Sequence, residues 1–451
     1  MDGRNRKTAN VSRRGFLKGA ALVGAGSLIA ACTPKATQEA MATEAPKAEA
    51  PAKAEVTLRF ITNHGDADMP LFKAVLDNFA AAHSNIKIDH LDIGGQEFYN
   101  TINTQGAAKQ LPDVWYTRTF DVPVYASRGW TVSLQNMIDA DAKEVNVDDF
   151  WPAEVAQMKW KGELFALPYD FSNVGIYYNK KMFADAGEAL PPESWKWEDL
   201  AVMGEKFAKK EGDAYTAWGM VLYNWNWVFH GLLFGWGGKV WTDDFSKCII
   251  NSKENADCLR FFVENRKKGL YPEAGAAPSG VDPFASGLVP LTFQGSWATV
   301  SMRDMIGDKF DFDCTAMPLS PTGASCINAA GGAWGIAANS KSIPDAWTFN
   351  KFITSTESTN VLISDPLRSI PGRKSSTDLW NKKAAEGGKP PKNAAVFGKQ
   401  MEIANAAPFP PYWQDYGTAY NNILVPLIDG PATEEPEAVL AKLEEEVNRI
   451  I

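Results

Sequence analysis

The segment from residue 161 to residue 185 constrains the fold more than any other part of the chain. An apolar strand in this segment ends at Pro168, which lacks a backbone donor, so the strand must stop or change its partner there. A second apolar strand follows almost at once, over residues 174–178. The pattern predicts a chain that leaves one sheet for another, with Tyr169 and Asp170 at the crossing.

Strands and helices alternate at the start of the globular chain. Apolar spacing predicts elements at residues 56–62 (strand), 70–83 (helix), 86–91 (strand), 98–109 (helix) and 113–116 (strand). This order implies a parallel sheet covered by helices, and such sheets bind ligands beyond the carboxyl ends of their strands. His64 and Asp66 follow the first strand, and Trp115 and Arg118 lie at the third, so we expect all four near a ligand.

Length and charge limit the possible functions. A chain of 451 residues is too long for a single hydrophobic core of ordinary size, so we expect at least two domains. Residues 1–31 carry six of the 45 basic residues and one of the 54 acidic ones, which leaves 39 basic against 53 acidic residues in the remainder. An acidic balance argues against nucleic-acid binding, which needs a basic face.

The N-terminus has the layout of a cleavable export signal over residues 1–31. Basic residues precede an apolar run, Ala20 to Ala31, that is too short to span a bilayer comfortably. Ser-Arg-Arg-Gly-Phe-Leu-Lys resembles a twin-arginine signal, and Leu-Ile-Ala-Ala-Cys resembles a lipoprotein box. The resemblance implies that Cys32 is lipidated and anchors the protein to the membrane. The alternatives are a plain membrane anchor and a fortuitously basic N-terminus.

Residues 32–55 consist almost wholly of Ala, Pro, Lys, Glu and Thr after the cysteine. They show no apolar periodicity and cannot bury a core, so we expect a disordered tether. A flexible chain of this length would hold a globular domain about 25 Å from the lipid.

Ten motifs spread over the remaining chain resemble one family. They are Leu111–Trp115, Ala126–Leu134, Gly162–Tyr169, Ile176–Gly187, Pro192–Leu200, Phe284–Trp297, Gly331–Lys341, Ala346–Ile353, Pro371–Lys374 and Glu437–Ile450. Together they resemble the extracellular solute-binding proteins of ABC importers, in the carbohydrate-type group related to maltose-binding protein.

The resemblance implies an α/β fold with two lobes, the periplasmic-binding-protein-like fold of type II. Each lobe would be a mostly parallel sheet flanked by helices, and the chain would cross three hinges, near residues 168–171, 292–295 and 337–342. The N-lobe would hold residues 56–168 and 295–338, and the C-lobe residues 169–294 and 339–451. A monomer would bind a small polar ligand, typically a saccharide, and deliver it to the transmembrane subunits of an ABC permease.

Sixteen tryptophans are many for this length, and several lie at turns beside glycine or asparagine. A flat aromatic ring covers the C–H face of a sugar, while charged and amide groups bond its hydroxyls. The candidate ligand-binding residues are His64, Asp66, Trp115, Arg118, Tyr169, Asp170, Trp225, Trp227, Trp236, Gln294, Trp297, Gly332, Trp334 and Arg373. Each tryptophan could instead belong to the core, and Asp66 and Asp170 could be loop or capping residues.

Four cysteines remain after Cys32. Outside the cytoplasm an even number suggests two disulfides, and proximity favours Cys248–Cys258 with Cys314–Cys326 over the other two connectivities. No C-x-x-C spacing occurs, so we expect no zinc site, and no motif indicates a cofactor.

Three functions stay open on the sequence alone. The first is a binding protein that captures a saccharide for an importer. The second is a surface enzyme, such as a glycoside hydrolase with paired carboxylates, although the chain shows no metal motif and no nucleophile elbow. The third is an adhesive or structural lipoprotein, which the aromatic loops at strand ends disfavour.

Overall fold

The computed structural model describes residues 54–363, 369–386, 388–405, 409–431 and 433–451. The export signal predicted over residues 1–31, the lipidation site Cys32 and all but the last two residues of the predicted tether lie outside the described residues. No helix within these ranges combines the length and apolarity that crossing a membrane requires.

Strands and helices alternate through much of the described chain. The strands are β1 (Val56–Thr62), β2 (Ile86–Asp92), β3 (Val114–Arg118), β4 (Lys159–Trp160), β5 (Glu163–Leu164), β6 (Ala166–Ser172), β7 (Val174–Asn179), β8 (Lys209–Glu211), β9 (Ala214–Ala217), β10 (Met220–Val221), β11 (Leu291–Gly295), β12 (Phe312–Thr315), β13 (Ala330–Ile336) and β14 (Ile370–Pro371). The helices are α1 (Met69–Ala82), α2 (Gly95–Ala107), α3 (Val122–Ser127), α4 (Gln135–Ala140), α5 (Ala142–Val145), α6 (Pro152–Gln157), α7 (Lys180–Ala186), α8 (Trp197–Glu205), α9 (Asn226–Gly235), α10 (Lys253–Lys267), α11 (Thr299–Ile306), α12 (Ile343–Ile353), α13 (Thr356–Leu362), α14 (Thr377–Glu386), α15 (Ala395–Gln400), α16 (Trp413–Ile423), α17 (Val425–Asp429) and α18 (Pro436–Ile450). The five elements predicted at the start of the globular chain are confirmed to within three residues.

Two sheets organise the fold. The first sheet has six strands in the order β14-β6-β13-β3-β1-β2, and the second has four in the order β10-β11-β7-β12. The α/β class and the two-sheet architecture agree with the prediction. The expectation of mostly parallel sheets was wrong: β1 runs parallel to β2 and β3, and β10 to β11, but the other pairings in both sheets are antiparallel. Strands that return from the other sheet enter from the opposite end, which reverses their direction.

The chain passes between the sheets at different places from those predicted. The first crossing is at Asn173, between β6 and β7, so residues 169–172 still belong to the first sheet. The side chain of Asn173 is buried and donates to the carbonyl of Phe397 at 2.8 Å, which fixes the crossing. The second crossing lies between β12 and β13, because residues 292–295 are strand residues of β11 paired with β7.

The third crossing comes after β14 rather than near residues 337–342. Helix α12 follows β13 and stays on the first sheet, where Phe349 packs with its ring centroid 5.0 Å from Phe60 and 5.0 Å from Phe79. The Trp347 indole nitrogen donates to Asp141 at 2.8 Å. The lobe boundaries predicted at residues 295 and 339 therefore do not match the packing, because apolar residues on α12 bury against the first sheet.

The terminal helix closes the second half of the molecule. The last helix is α18, whose Val439, Leu440, Leu443 and Val447 are buried. This amphipathic face packs on α10 and α16. Helix α16 is thereby held on the side of the second sheet, where it can face the ends of the first-sheet strands.

Candidate ligand-binding site

A cavity of about 840 Å³ lies between the ends of the two sheets. The described residues that line it are Asn63, His64, Gln96, Tyr99, Asn103, Tyr116, Arg118, Phe120, Asp121, Asp170, Ser172, Asn224, Trp225, Asn226, Trp227, Trp297, Ala330, Gly331, Ser369, Trp413, Gln414, Gly417, Thr418 and Asn421. They lie at or just beyond the ends of β1, β3, β6, β10 and β11 and at or just before the starts of β13 and β14, with additions from α2, α9 and α16. The volume is within the usual range for small-molecule sites, about 300–1,000 Å³.

An ion pair lies on the first-sheet wall of the cavity. Arg118 Nε donates to Asp121 Oδ2 at 2.7 Å, and the guanidinium lies 3.7 Å from the ring centroid of Tyr99 and 4.4 Å from that of Phe120. Burial alone would lower the pKa of Arg118, but the neighbouring charge of Asp121 outweighs it and raises the pKa above its ordinary value. Asn63 donates to the Tyr99 hydroxyl at 3.0 Å and so orients the ring under the cation.

A second carboxyl group, Asp170, lies on the same wall. Its Oδ1 accepts from the Gly332 amide at 2.7 Å, yet burial raises the pKa of Asp170 from 3.8 to about 6. Behind it, Glu154 is fully buried; burial, followed by the charge of Asp170, raises the pKa of Glu154 well above its ordinary value. A Cβ added to Gly331 would lie 2.0 Å from the Asp170 carbonyl oxygen, so only glycine fits beside these acids.

Indole rings form the opposite wall. The ring of Trp297 lies 5.8 Å from Trp225 and 5.9 Å from Trp227, measured between centroids. Trp225 is stacked on Tyr223 at 4.7 Å with an interplanar angle of 5°. Trp413 adds a fourth indole, which is buried and packs 5.8 Å from Phe120. Trp225, Trp227 and Trp297 thus form a continuous, half-buried aromatic surface rather than a single exposed ring.

Asparagines hold this aromatic wall in position. Asn226 accepts from the Trp227 amide at 2.8 Å at the start of α9, and Asn328 donates to the Trp227 carbonyl at 2.8 Å. Asn224 donates to the carboxylate of Asp429. The backbone that carries the indoles is thus fixed from both sides.

The sequence matches the family profile described as bacterial extracellular solute-binding protein over residues 63–360. This match covers more than half of the chain. The chain belongs to the bacterial extracellular solute-binding protein family.

Individual members of the family are distant in sequence. An uncharacterised ABC transporter extracellular-binding protein of Pyrococcus horikoshii is 23% identical over 58% of this chain and 61% of its own length. The maltotriose-binding protein of Pyrococcus abyssi is 21% identical over 56% of this chain and 51% of its own length. The mannitol-binding protein of Pseudomonas aeruginosa is 23% identical over 66% of this chain and 69% of its own length. The chain thus spans about half to two-thirds of the length of these three curated relatives.

Solved structures share the fold over a larger part of the chain. An ABC substrate-binding protein of Listeria monocytogenes in complex with cycloalternan has a TM-score of 0.77 at 19% identity, covering 88% of this chain and 99% of that one. The GacH receptor of Streptomyces glaucescens has a TM-score of 0.73 at 17% identity, with the same coverage. These likenesses establish the two-lobed fold of a solute-binding protein.

The cavity brings together six of the residues predicted from the sequence of this solute-binding protein. They are His64, Arg118, Asp170, Trp225, Trp227 and Trp297. Their role in binding stays a prediction. Of the four residues predicted from strand ends, His64 and Arg118 line the cavity and Asp66 and Trp115 do not, while Asp170 was predicted from the crossing. The other eight predicted residues do not line the cavity.

Two of those eight are core tryptophans. Trp115 and Trp334 are 0% exposed, and the Trp334 ring packs 5.1 Å from Phe60 and 5.0 Å from Tyr169. Tyr169 belongs to the same ring cluster, 5.2 Å from His64, and supports the cavity from behind. Asp66 is exposed on a short 3-10 turn outside the lining.

The remaining four have structural contacts. Trp236 packs 5.6 Å from Phe261, and Gln294 is buried with its side-chain oxygen accepting from the next backbone amide. Gly332 lies behind the lining and donates to Asp170. Arg373 is buried against Asp149, with 3.2 Å between guanidinium and carboxylate.

The predicted disulfides were also wrong. Cys248, Cys258, Cys314 and Cys326 are all buried free thiols. Cys314 and Cys326 belong to different core clusters. Burial raises the pKa of Cys248 and of Cys326 to about 12, which suits inert core thiols.

In the part of the chain described, no group of three His, Cys, Asp or Glu side chains could hold a metal ion.

Several lining residues were missed by the sequence reasoning. Tyr116 could have been found, because it lies two residues before Arg118 on β3 and alternate strand residues share a face. Asp121, three residues after Arg118, carried a similar local signal. Trp413 and Gln414 come from α16, nearly 300 residues further along the chain, and no local pattern links them to β3.

Proposed function

We propose that this protein is the substrate-binding component of an ABC importer that captures a saccharide between its two halves and delivers it unchanged. One observation carries the proposal: an indole wall made by Trp225, Trp227 and Trp297 faces a wall of hydrogen-bonding groups across about 840 Å³. That arrangement complements a sugar ring, which has one apolar face and a hydroxyl edge.

The energetics favour a polyhydroxyl ligand over a purely apolar one. Each stacked ring contributes about 0.5–1.5 kcal/mol beyond the area it buries, and each hydrogen bond to a charged group about 1.5–3 kcal/mol. An apolar ligand would use the indoles but leave Arg118, Asp121 and Asp170 desolvated without new partners. Removing water from polar groups without offering them new hydrogen bonds is costly, which favours ligands that carry hydroxyls.

The names of the relatives support the same assignment. Maltotriose, mannitol and cycloalternan, which appear in the names of three of them, are all polyhydroxylated and uncharged. On this basis we assign a sugar, an oligosaccharide or a related polyol to this chain.

Calorimetric titration with a panel of mono-, di- and oligosaccharides and polyols tests the proposal. We expect at least one saccharide to bind with 1:1 stoichiometry and to quench the tryptophan fluorescence. Chromatography of the recovered ligand should show it unaltered. Absence of binding across the panel, together with an unchanged melting temperature, would reject the saccharide assignment.

A carbohydrate-active enzyme is the second candidate, because two carboxyl groups, Asp121 and Asp170, line one cavity. Their environments disfavour that role. Both oxygens of Asp121 accept hydrogen bonds from side chains, and Asp170 is held by the Gly332 amide. Appearance of cleaved products during long incubation with the bound sugar would favour the enzyme.

We further propose an extracytoplasmic protein that is exported through its twin-arginine signal, anchored by lipid on Cys32, and monomeric. The family name and the N-terminal sequence support this location. Cys32→Ser should move the protein from the membrane fraction to the soluble one. Continued membrane association of that variant would reject the anchor. Crosslinking to the permease in membranes would test the transport partner.

A further inference from the structure

Among the described residues that line the cavity, Arg118 is the one arginine or lysine. Its side chain is 29% exposed, and the guanidinium lies against the rings of Tyr99 and Phe120. A cation in this position is the natural partner for a phosphate or carboxylate on a ligand. Whether the cavity accepts such ligands therefore depends on what already neutralises Arg118.

The counter-ion is Asp121, whose side chain is 1% exposed. The 2.7 Å bond from Arg118 Nε to Oδ2 uses one carboxylate oxygen. The other oxygen, Oδ1, accepts from the Gln414 amide nitrogen at 3.2 Å. Gln414 is itself held by Arg128, whose guanidinium donates to its side-chain oxygen at 3.1 Å.

These bonds prevent Asp121 from turning away when a ligand arrives. The carboxylate lies on a buried 3-10 turn, Thr119–Asp121, and is bonded from both halves of the molecule. A ligand anion at Arg118 would have to compete with a charge that is already paired at close range. Asp170, on the same wall, adds an acceptor rather than a donor.

We propose that Asp121 sets the charge selectivity of the cavity: as the fixed counter-ion of Arg118, it restricts the site to uncharged polyhydroxyl ligands and excludes phosphorylated or carboxylated sugars. The proposal rests on the saccharide-binding function assigned above to the same cavity. In this role Asp121 is a specificity-determining residue, and Gln414 is the positioning residue that holds it.

The test removes the counter-ion and looks for anion binding. Inorganic phosphate and glucose 6-phosphate are titrated calorimetrically into the full chain and into Asp121→Asn, with chloride added to hold the ionic strength constant. We expect no saturable binding to the wild-type protein in the low-millimolar range. In Asp121→Asn, the unpaired Arg118 should bind both probes at least tenfold more tightly.

A matched double variant, Arg118→Gln/Asp121→Asn, separates a true site from a general change in surface charge. It should lose the gained phosphate binding entirely. Asp121→Ser removes the same charge with a smaller side chain, and it replaces the asparagine variant if that one does not reach the wild-type melting temperature.

Two results would overturn the proposal. One is saturable phosphate binding by the wild-type protein that Arg118→Gln abolishes. The other is a folded Asp121→Asn or Asp121→Ser variant that gains no affinity for either anion. Neither result depends on finding the natural ligand, so a failed saccharide panel would reject the assigned function without deciding the charge selectivity.

Discussion

The first-sheet wall of the cavity carries charge, whereas the wall on the side of the second sheet carries aromatic surface and amides. The first-sheet wall includes Arg118, Asp121 and Asp170. The described lining residues of the second wall, which include Trp225 and Trp297, are all uncharged. The charged groups are fixed by bonds mostly within their own wall. The indoles are fixed by each other and by asparagines.

This division assigns different work to the two halves. The first wall offers preorganised polar groups that determine which hydroxyls are recognised, and the second offers area that contributes affinity with little selectivity. Gln414 is the exception, since it belongs to the second side and bonds to Asp121 and Arg128 of the first. Four variants test this division.

The largest effect should come from a tryptophan behind the charged wall. Trp334→Ala removes a fully buried ring that packs on Phe60 and Tyr169, so we expect the free energy of unfolding to fall by about 3–5 kcal/mol. Urea denaturation measures the loss. Trp225→Ala, which truncates a half-buried indole of the other wall, should destabilise the protein much less. Equal losses in the two variants would contradict the division between core and cavity.

Trp334 also shows what the sequence could and could not predict. Strand positions, and hence the residues beyond strand ends, follow from local alternation, which is why His64 and Arg118 were placed correctly. Trp115 was predicted at the ligand although it alternates with Arg118 on β3. The alternation from Arg118 places Tyr116 on the cavity side and Trp115 on the core side, as the packing shows.

The crossings between sheets were less predictable for a related reason. Pro168 indicated the right part of the chain, but β6 continues past it to Ser172. The next residue, Tyr169, has no partner on β13 and is accommodated as a bulge in β6, opposite Gly332 and Ala333. Helix α12 was assigned to the wrong half, since its apolar face fits either sheet on pattern alone. Contacts between residues far apart in the sequence, such as Phe349 with Phe60, place α12 on the first sheet, and no local sequence pattern predicts them.

The second effect is a pH dependence that belongs to the charged wall. Burial raises the pKa of Asp170 from 3.8 to about 6, so the folded protein binds this proton more tightly than the unfolded chain. Its stabilising contribution is complete below about pH 4 and is lost as the pH rises to about 6, by up to about 3 kcal/mol. Melting temperatures of wild type and Asp170→Asn across pH 4–7 measure it. The difference in melting temperature between wild type and Asp170→Asn should change as the pH rises from about 4 to about 6. A difference that stays constant with pH would contradict the raised pKa of Asp170.

The third effect concerns affinity and belongs to the aromatic wall. Trp225→Ala removes one stacking surface, and we expect binding of the saccharide identified by the panel to weaken by about 2 kcal/mol, or about 30-fold. Calorimetry measures the change. Trp160→Ala is the matched control, because this tryptophan lies in the β4–β5 hairpin outside the lining and should leave the affinity unchanged. Unaltered affinity in Trp225→Ala would remove the aromatic wall from the site.

The smallest effect should come from the contact that joins the walls. Gln414→Ala breaks the hydrogen bonds to Asp121 and from Arg128, each between a neutral amide and a charged group. The first bond is half-buried, and the second is exposed. Because these bonds form between the two halves, their loss should favour a more open arrangement and weaken saccharide binding by about 1 kcal/mol, roughly fivefold. The weakening should appear mainly as faster dissociation, measured by stopped-flow fluorescence, since closure retains the ligand. Asn422→Ala removes an exposed amide from the same helix and should change neither rate. If Gln414→Ala instead slowed association alone, the contact would steer the ligand in rather than hold the walls together, and the two walls would close without it.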